Sequence, residues 1–94
     1  MRRASSRAHI DCPSALRILS VTERSELIEA TALSRRDSRI AFERLVNQLS
    51  LPDIAAIVGG DRSNIGWRLR AHIYPALVLQ YMRRGSHIDS HMVI

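Results

Sequence analysis

The segment from residue 50 to residue 74, SLPDIAAIVGGDRSNIGWRLRAHIY, constrains the fold of this chain more than any other part of it. Two adjacent glycines, Gly59 and Gly60, separate two apolar stretches. Glycine reaches the left-handed conformation that a tight helix exit requires, so the pair predicts a turn. We therefore expect two short helices, over 52–58 and 62–73, joined by that turn.

Residues that favour helix starts precede both stretches. Ser50 is a good N-cap, Pro52 suits a first helical turn, and Asp61 can cap the second helix. Within the second stretch, the apolar residues Ile65, Leu69 and Ile73 recur at every fourth position. This spacing indicates a helix with one buried face.

The rest of the chain also carries helical patterns. Ser20 and Glu23 match a capping box, which predicts a helix over 22–33. A short apolar run favours a brief helix over 13–19. With no convincing strand pattern, the chain is expected to form an all-α domain of about five short helices.

The most clearly amphipathic helix is predicted over 38–49, with Asp37 as its cap. Its apolar face is formed by Ala41, Phe42, Leu45, Val46 and Leu49. The opposite face, expected to be exposed, carries Arg39, Glu43, Arg44 and Gln48. Arg39 and Glu43 are four residues apart and can form an ion pair.

The last predicted helix spans 76–84, after Pro75, which biases the residues before it away from helix. Gly85 suits the position just past its end. This helix is apolar on nearly every side, so it needs two buried faces in its own domain or a partner chain. The residues expected at a homodimer contact are Leu77, Val78, Tyr81 and Met82.

Three regions are expected along the chain. Residues 1–10 are rich in Arg, Ser and Ala and predict a flexible basic arm, either a disordered terminus or a segment that follows DNA phosphates. Residues 11–85 form the helical domain, and Asp11 can cap its first helix. Residues 86–94 predict a flexible tail.

Composition narrows the choice of compartment and partner. The chain has 94 residues and a formal charge of +5, and its 14 basic residues are all arginine. This charge favours polyanionic partners, although arginine-only usage also follows from a GC-rich genome. Cys12 is the single cysteine, and no apolar run is long enough to cross a membrane. We expect a cytoplasmic protein with no membrane contact.

Residues 50–74 also contain the frame of a helix-turn-helix. That motif needs a small residue where its helices cross, a glycine-type turn, and buried aliphatic residues that fix the crossing angle. Ala55, Gly59 and Ile65 have the relative spacing that the motif uses, and Ile54 and Val58 supply further aliphatics. The sequence therefore predicts a helix-turn-helix at about 50–74.

The stretch LSLPDIAAIVGGDRSNIGWRLRAH resembles the fourth region of bacterial sigma factors and similar trihelical regulators. VGGDRSNI, followed by an arginine-rich helix and Pro75, is also similar to the activators of lambdoid phages. The resemblance covers roughly residues 38–84. It implies a bacterial or phage transcription regulator whose second motif helix enters the major groove of DNA.

For such a DNA-binding role, the solvent side of helix 62–73 must read the bases. The candidate contact residues are Arg62, Ser63, Asn64, Trp67, Arg68 and Arg70. Arginine can pair with guanine and asparagine with adenine through two hydrogen bonds each. Five arginines and no acidic residue lie between Arg62 and Arg84, which favours contact with phosphates.

Three residues of this helix depart from the usual pattern of a DNA reader. Gly66 weakens the helix, Trp67 is bulky, and Arg68 takes a position where an aliphatic residue is usual, a role that Leu69 can assume. Tryptophan flanked by arginines is typical of protein-interface hot spots. The alternative hypothesis is therefore an adaptor or antiactivator that binds another transcription regulator.

Enzymatic and cofactor-dependent functions are not expected. Gly59 and Gly60 lack the further glycines and the lysine of a phosphate-binding loop. His9 and Cys12 lack a second ligand pair at metal-site spacing, and His87 and His91 fall in the predicted tail. We predict no catalytic residues, no metal and no cofactor.

Overall fold

The computed structural model describes the backbone of residues 12–93 and the side chains of residues 12–84. Six α-helices and one π-helical turn make up its regular structure, and no strand occurs within residues 12–93, which confirms the all-α prediction. The helices are α1 (Ser14–Arg17), α2 (Val21–Ala30), α3 (Arg35–Leu45), α4 (Leu51–Val58), α5 (Arg62–Arg68) and α6 (Tyr74–Val93), with the π-turn (Leu69–Ile73) between α5 and α6.

Side-chain caps start four of these helices. Ser20 and Glu23 form the predicted capping box of α2, with each side chain bonded to the other residue's backbone N–H. Ser50 caps α4 and Asp61 caps α5, and both caps agree with the prediction. Because each cap accepts a hydrogen bond from an otherwise unpaired N–H, it fixes the first residue of its helix.

The predicted cap of α3 is wrong. Ser34, rather than Asp37, is the N-cap, and its hydroxyl accepts a hydrogen bond from the Asp37 backbone N–H at 3.1 Å. The helix therefore starts earlier than expected, at Arg35. Ser34 acts as the N-cap because its backbone has the extended conformation of that position. Asp37 is then the third residue of the helix, and its carboxylate is not used as a cap.

The hydrophobic core joins all the helices. Its most deeply buried side chains come from different elements, and they are Leu16, Ile40, Ile54, Ile65, Ile73 and Leu77. The helix α3 lies at the centre, since it packs against α2, α4 and the π-turn. The helix α6 likewise contacts three elements, α1, α2 and the π-turn, so α3 and α6 together connect the N-terminal helices to the rest of the domain.

The central position of α3 corrects the predicted division of its faces. Phe42, expected in the core, is 36% exposed, whereas Glu43 and Arg44, expected at the surface, are buried. Glu43 accepts hydrogen bonds from Asn47 at 2.8 Å and from Arg39 at 2.6 Å, and these bonds lower the pKa of its carboxyl. A helix contacted on several sides leaves only a narrow exposed stripe, so periodicity alone placed these residues wrongly.

Arg24 attaches the N-terminal part of the domain to its centre. Its guanidinium donates to the carbonyl oxygens of Leu16 and Arg17 at 3.0 and 2.9 Å, and to that of Leu45 at 3.0 Å. The last carbonyls of a helix lack the regular intrahelical partner. Arg24 donates hydrogen bonds to such carbonyls at the ends of both α1 and α3, and so links the two helices.

The chain does not leave the helical conformation before Pro75, contrary to the prediction. The helices α5 and α6 are continuous through the π-turn, in which the Tyr74 N–H bonds to the Leu69 carbonyl five residues earlier. Proline lacks an N–H and its ring meets the carbonyl four residues back in a regular α-helix. The wider π-turn avoids that clash, so the helix continues past Pro75.

The last helix also continues beyond Gly85, where the sequence predicts its end. The backbone is helical as far as Val93, so residues 86–93, predicted as a tail, extend α6. A lone glycine costs a helix only about 1 kcal/mol, which does not by itself end it. The predicted arm over 1–10, the Asp11 cap and Ile94 lie outside the described residues.

Candidate nucleic-acid interface

The helices α4 and α5 pack together around the predicted helix-turn-helix frame. Both turn glycines have positive φ angles, 90° at Gly59 and 93° at Gly60, as the prediction required. Ile54 and Ile65 are completely buried, and Ala55 and Val58 are half-buried against the core. The aliphatic residues therefore fix the relation between the two helices, and one side of α5 remains exposed.

Five of the six candidate contact residues lie at the surface of α5 and of the π-turn that follows it. We call this set the outer face, and its members are Arg62, Ser63, Asn64, Trp67 and Arg70. Ser63, Trp67 and Arg70 are spaced by four and three residues, so they follow one another along a single stripe. Leu69 is buried, as expected if it takes the usual aliphatic position.

Arg68, the sixth candidate, has a different environment. Its Nε donates to Asp37 Oδ1 at 3.2 Å, and its Nη2 donates to Asp37 Oδ2. These hydrogen bonds raise the pKa of the Arg68 guanidinium above its usual range. The carboxylate is buried and holds the arginine side chain against α3, so Arg68 fastens α5 to α3 instead of joining the outer face.

Gly66 is explained by the close approach of α4 and α5. It is buried, and a Cβ atom built on it would lie 3.3 Å from Leu51 Cδ1 and 3.1 Å from Arg70 Nη1. Both distances are shorter than ordinary van der Waals contact. The absent side chain allows Leu51 to pack on α5 and allows the Arg70 guanidinium to lie back over the helix.

Trp67 is 50% exposed and does not pack beneath α6. Its ring lies edge-on to His72, with the centroids 4.8 Å apart and the planes at 71°. Residues five apart lie on different sides of an α-helix, but the wider π-turn brings them together. The Arg68 guanidinium carbon is 5.9 Å from the Trp67 ring centroid, within the range of a cation–π contact.

Arg36 belongs to the site but was not among the predicted residues. It lies in the first turn of α3, and its Nη2 donates to the Gly59 carbonyl at 3.0 Å and to Asn64 Oδ1 at 3.4 Å. Arg36 thus joins α3 to the turn and to the outer face. The segment Ser34-Arg35-Arg36 reads as a polar break, and no local pattern indicates a contact with residues so far along the chain.

The predicted dimer residues on α6 fall into two groups. Leu77 is completely buried in its own domain, and Val78 and Tyr81 are half-buried against the core. Leu77 is therefore not available to a second chain. Met82 is 58% exposed, and Leu79, which was not predicted, is 52% exposed.

The described side chains include no group of three or more His, Cys, Asp or Glu residues that could hold a metal ion. Cys12 is buried, and its burial raises the pKa of the thiol, which disfavours the nucleophilic thiolate. His9 lies outside the described residues, as do the side chains of His87 and His91. No helix in the described part of the chain is long and apolar enough to span a membrane.

Comparison of this chain with protein-family models, with curated proteins and with solved structures gave no match.

Proposed function

We propose that this protein is a small DNA-binding transcription regulator of bacterial or phage type that places α5 in the major groove. The observation that carries the proposal is a helix exposed along one side and held at a fixed angle by a glycine turn and buried aliphatics. An α-helix fits the width of the major groove. The proposal assigns the protein to the cytoplasm and gives it no enzymatic activity and no cofactor.

The outer face supplies the two kinds of contact that DNA recognition needs. Arg62 and Arg70 are exposed cations that can neutralise phosphates, which accounts for most of the non-specific affinity. Ser63 and Asn64 lie in the first turn of α5, and the first turn of a recognition helix contacts the base edges. The two acidic residues bonded to α5 are engaged there, since Asp61 caps the helix and Asp37 pairs with Arg68.

Alanine variants of the two exposed arginines test this proposal. Arg62→Ala and Arg70→Ala should each weaken binding to duplex DNA and reduce the slope of log affinity against log salt by about 1. The matched control is Arg17→Ala on α1, which removes the same charge from an exposed position on a helix whose main packing partner is α6. Equal losses for all three variants would indicate only a response to net charge and would count against the assigned face.

A second candidate function follows from the exposure of Trp67. An exposed tryptophan beside an arginine has the chemistry of a protein-binding hot spot. In this alternative, the protein is an adaptor or antiactivator whose outer face captures another transcription regulator. Trp67→Ala would then abolish capture of that regulator while leaving weak DNA affinity unchanged, and a host pull-down with no regulator bound would argue against it.

We also propose a homodimer, formed through the exposed part of α6, which would set the spacing between two DNA half-sites. Met82 and Leu79 support it, since both are large apolar side chains exposed on one helix. Sedimentation of the wild type and of Met82→Glu tests the contact. A dimer that the substitution dissociates is the expected result, and a wild-type monomer at micromolar concentration would exclude it.

A further inference from the structure

Arg36 lies in a space that the turn of the helix-turn-helix leaves for it. Its Nη2 donates a hydrogen bond to the Gly59 carbonyl at 3.0 Å. A Cβ built on Gly60 would lie 3.1 Å from Arg36 Nη2. Gly60 has a φ of 93°, which a residue with a side chain rarely adopts. The turn therefore both accepts the hydrogen bond and makes room for the guanidinium beside α5.

The same guanidinium orients the carboxamide of Asn64. Arg36 Nη2 is 3.4 Å from Asn64 Oδ1, and the Asn64 backbone N–H is fixed by the Asp61 cap at 2.8 Å. Arginine has only donors, so the carboxamide must turn its oxygen, not its NH2 group, towards Arg36. The Asn64 NH2 group is then directed away from Arg36, with its donors available to a ligand.

This orientation changes which base Asn64 can recognise. Asparagine pairs with adenine when its oxygen and its NH2 group are presented side by side, accepting from N6 and donating to N7. Here the oxygen already accepts from a guanidinium, and a cation beside it disfavours the approach of the adenine N6 donor. Guanine instead presents two acceptors, N7 and O6, to the major groove.

We infer that Arg36 is a specificity-determining residue: by holding Asn64 Oδ1, it makes Asn64 a donor that selects guanine over adenine. This inference rests on the proposed DNA-binding function and deepens it. It replaces the expectation that Asn64 pairs with adenine. Arg36 acts through Asn64 and needs no base contact of its own.

Selection of binding sites from randomised duplex DNA tests the inference, with wild type, Asn64→Ala, Arg36→Ala and Arg35→Ala compared. Arg35 is an exposed neighbour in the same helical turn, so its variant removes the same charge while keeping the contact to Asn64. Circular dichroism and thermal unfolding of each variant establish that it is folded.

The wild type should select guanine at the position where Asn64→Ala loses its preference. Duplexes with guanine and adenine there should differ in affinity by about 5- to 150-fold, the range of one good base contact. Arg36→Ala should shift that preference towards adenine, and Arg35→Ala should keep guanine.

Three results would overturn the inference while leaving the DNA-binding proposal intact. The first is wild-type selection of adenine at that position. The second is a base preference of Arg36→Ala identical to that of the wild type. The third is an Asn64→Ala variant whose base preference matches the wild type at every position of the site. Failure of the folded wild type to bind any duplex is a separate outcome. It would refute the proposed function itself and the inference with it.

Discussion

At the scale of single residues, Asp37 and Arg68 connect the first turn of α3 to the last residue of α5. The Asp37 carboxylate is buried, so water cannot hydrate it fully. Removing one partner of such a pair leaves the other charge without compensation, which costs more than the pair itself contributes. The pair therefore adds one charged contact to the apolar contacts that hold α5 in place.

Arg68→Ala should lower the midpoint of thermal unfolding more than Arg62→Ala does, because only the first substitution leaves a buried carboxylate unpaired. Asp37→Asn combined with Arg68→Ala should recover part of the loss, since the charge itself is then removed. Thermal unfolding followed by circular dichroism measures both effects. Equal midpoints for Arg68→Ala and Arg62→Ala would show that the ion pair does not stabilise the fold.

Local signals predicted much of the site at this scale. Ser50, Gly59 and Asp61 act on the backbone within a few residues of themselves, so their roles could be derived from sequence. The roles of Arg36 and Arg68 could not be derived in this way. Arg36 contacts a carbonyl 23 residues away and Arg68 a carboxylate 31 residues away, and nothing in the neighbouring residues specifies these partners.

At the scale of the elements, the burial of Ile65 joins α5 to the rest of the core. Ile65→Ala should reduce the free energy of unfolding by about 2–5 kcal/mol, because it removes buried methylene groups and leaves a cavity. Ile57→Ala is the control on α4, where the side chain is 46% exposed, and should change the stability by less than about 1 kcal/mol. Denaturant titrations that gave similar values for the two variants would contradict the assigned buried face.

The π-turn is the second feature that belongs to this scale. Pro75→Ala should allow regular α-helical bonding before α6 and so separate His72 from Trp67. Trp67 is the single tryptophan of the chain, so its fluorescence reports on this contact. The emission of Pro75→Ala should change in the same direction as that of His72→Ala. A Pro75→Ala spectrum identical to the wild type, with His72→Ala altered, would show that proline does not cause the π-turn.

Element boundaries were predicted well where a cap sets them and poorly elsewhere. Ser20, Ser50 and Asp61 gave the starts of α2, α4 and α5 to within one residue. The start of α3 was missed because two residues, Ser34 and Asp37, could both act as caps. The continuity through Pro75 was missed because proline usually ends a helix, and the π-turn that accommodates it has no recognised sequence pattern.

At the scale of the whole molecule, both the net positive charge and the fold bear on the proposed function. The formal charge is +5, and residues 62–84 contribute five arginines and no acidic residue to it. Four of these arginines, all but Arg68, have exposed side chains. A single core holds the outer face of α5 in a fixed position, so the exposed cations Arg62 and Arg70 are presented together with Ser63 and Asn64.

The measurement that tests DNA binding most directly is a titration of the folded wild type with random-sequence duplex DNA at several salt concentrations. Log affinity should fall linearly as log salt rises, with a slope of about −0.9 for each phosphate neutralised. Fluorescence anisotropy of labelled DNA measures the affinity, and circular dichroism establishes that the protein stays helical. A helical protein that does not bind DNA at about 50 mM salt, or whose affinity does not change with salt, would contradict the proposed DNA-binding function.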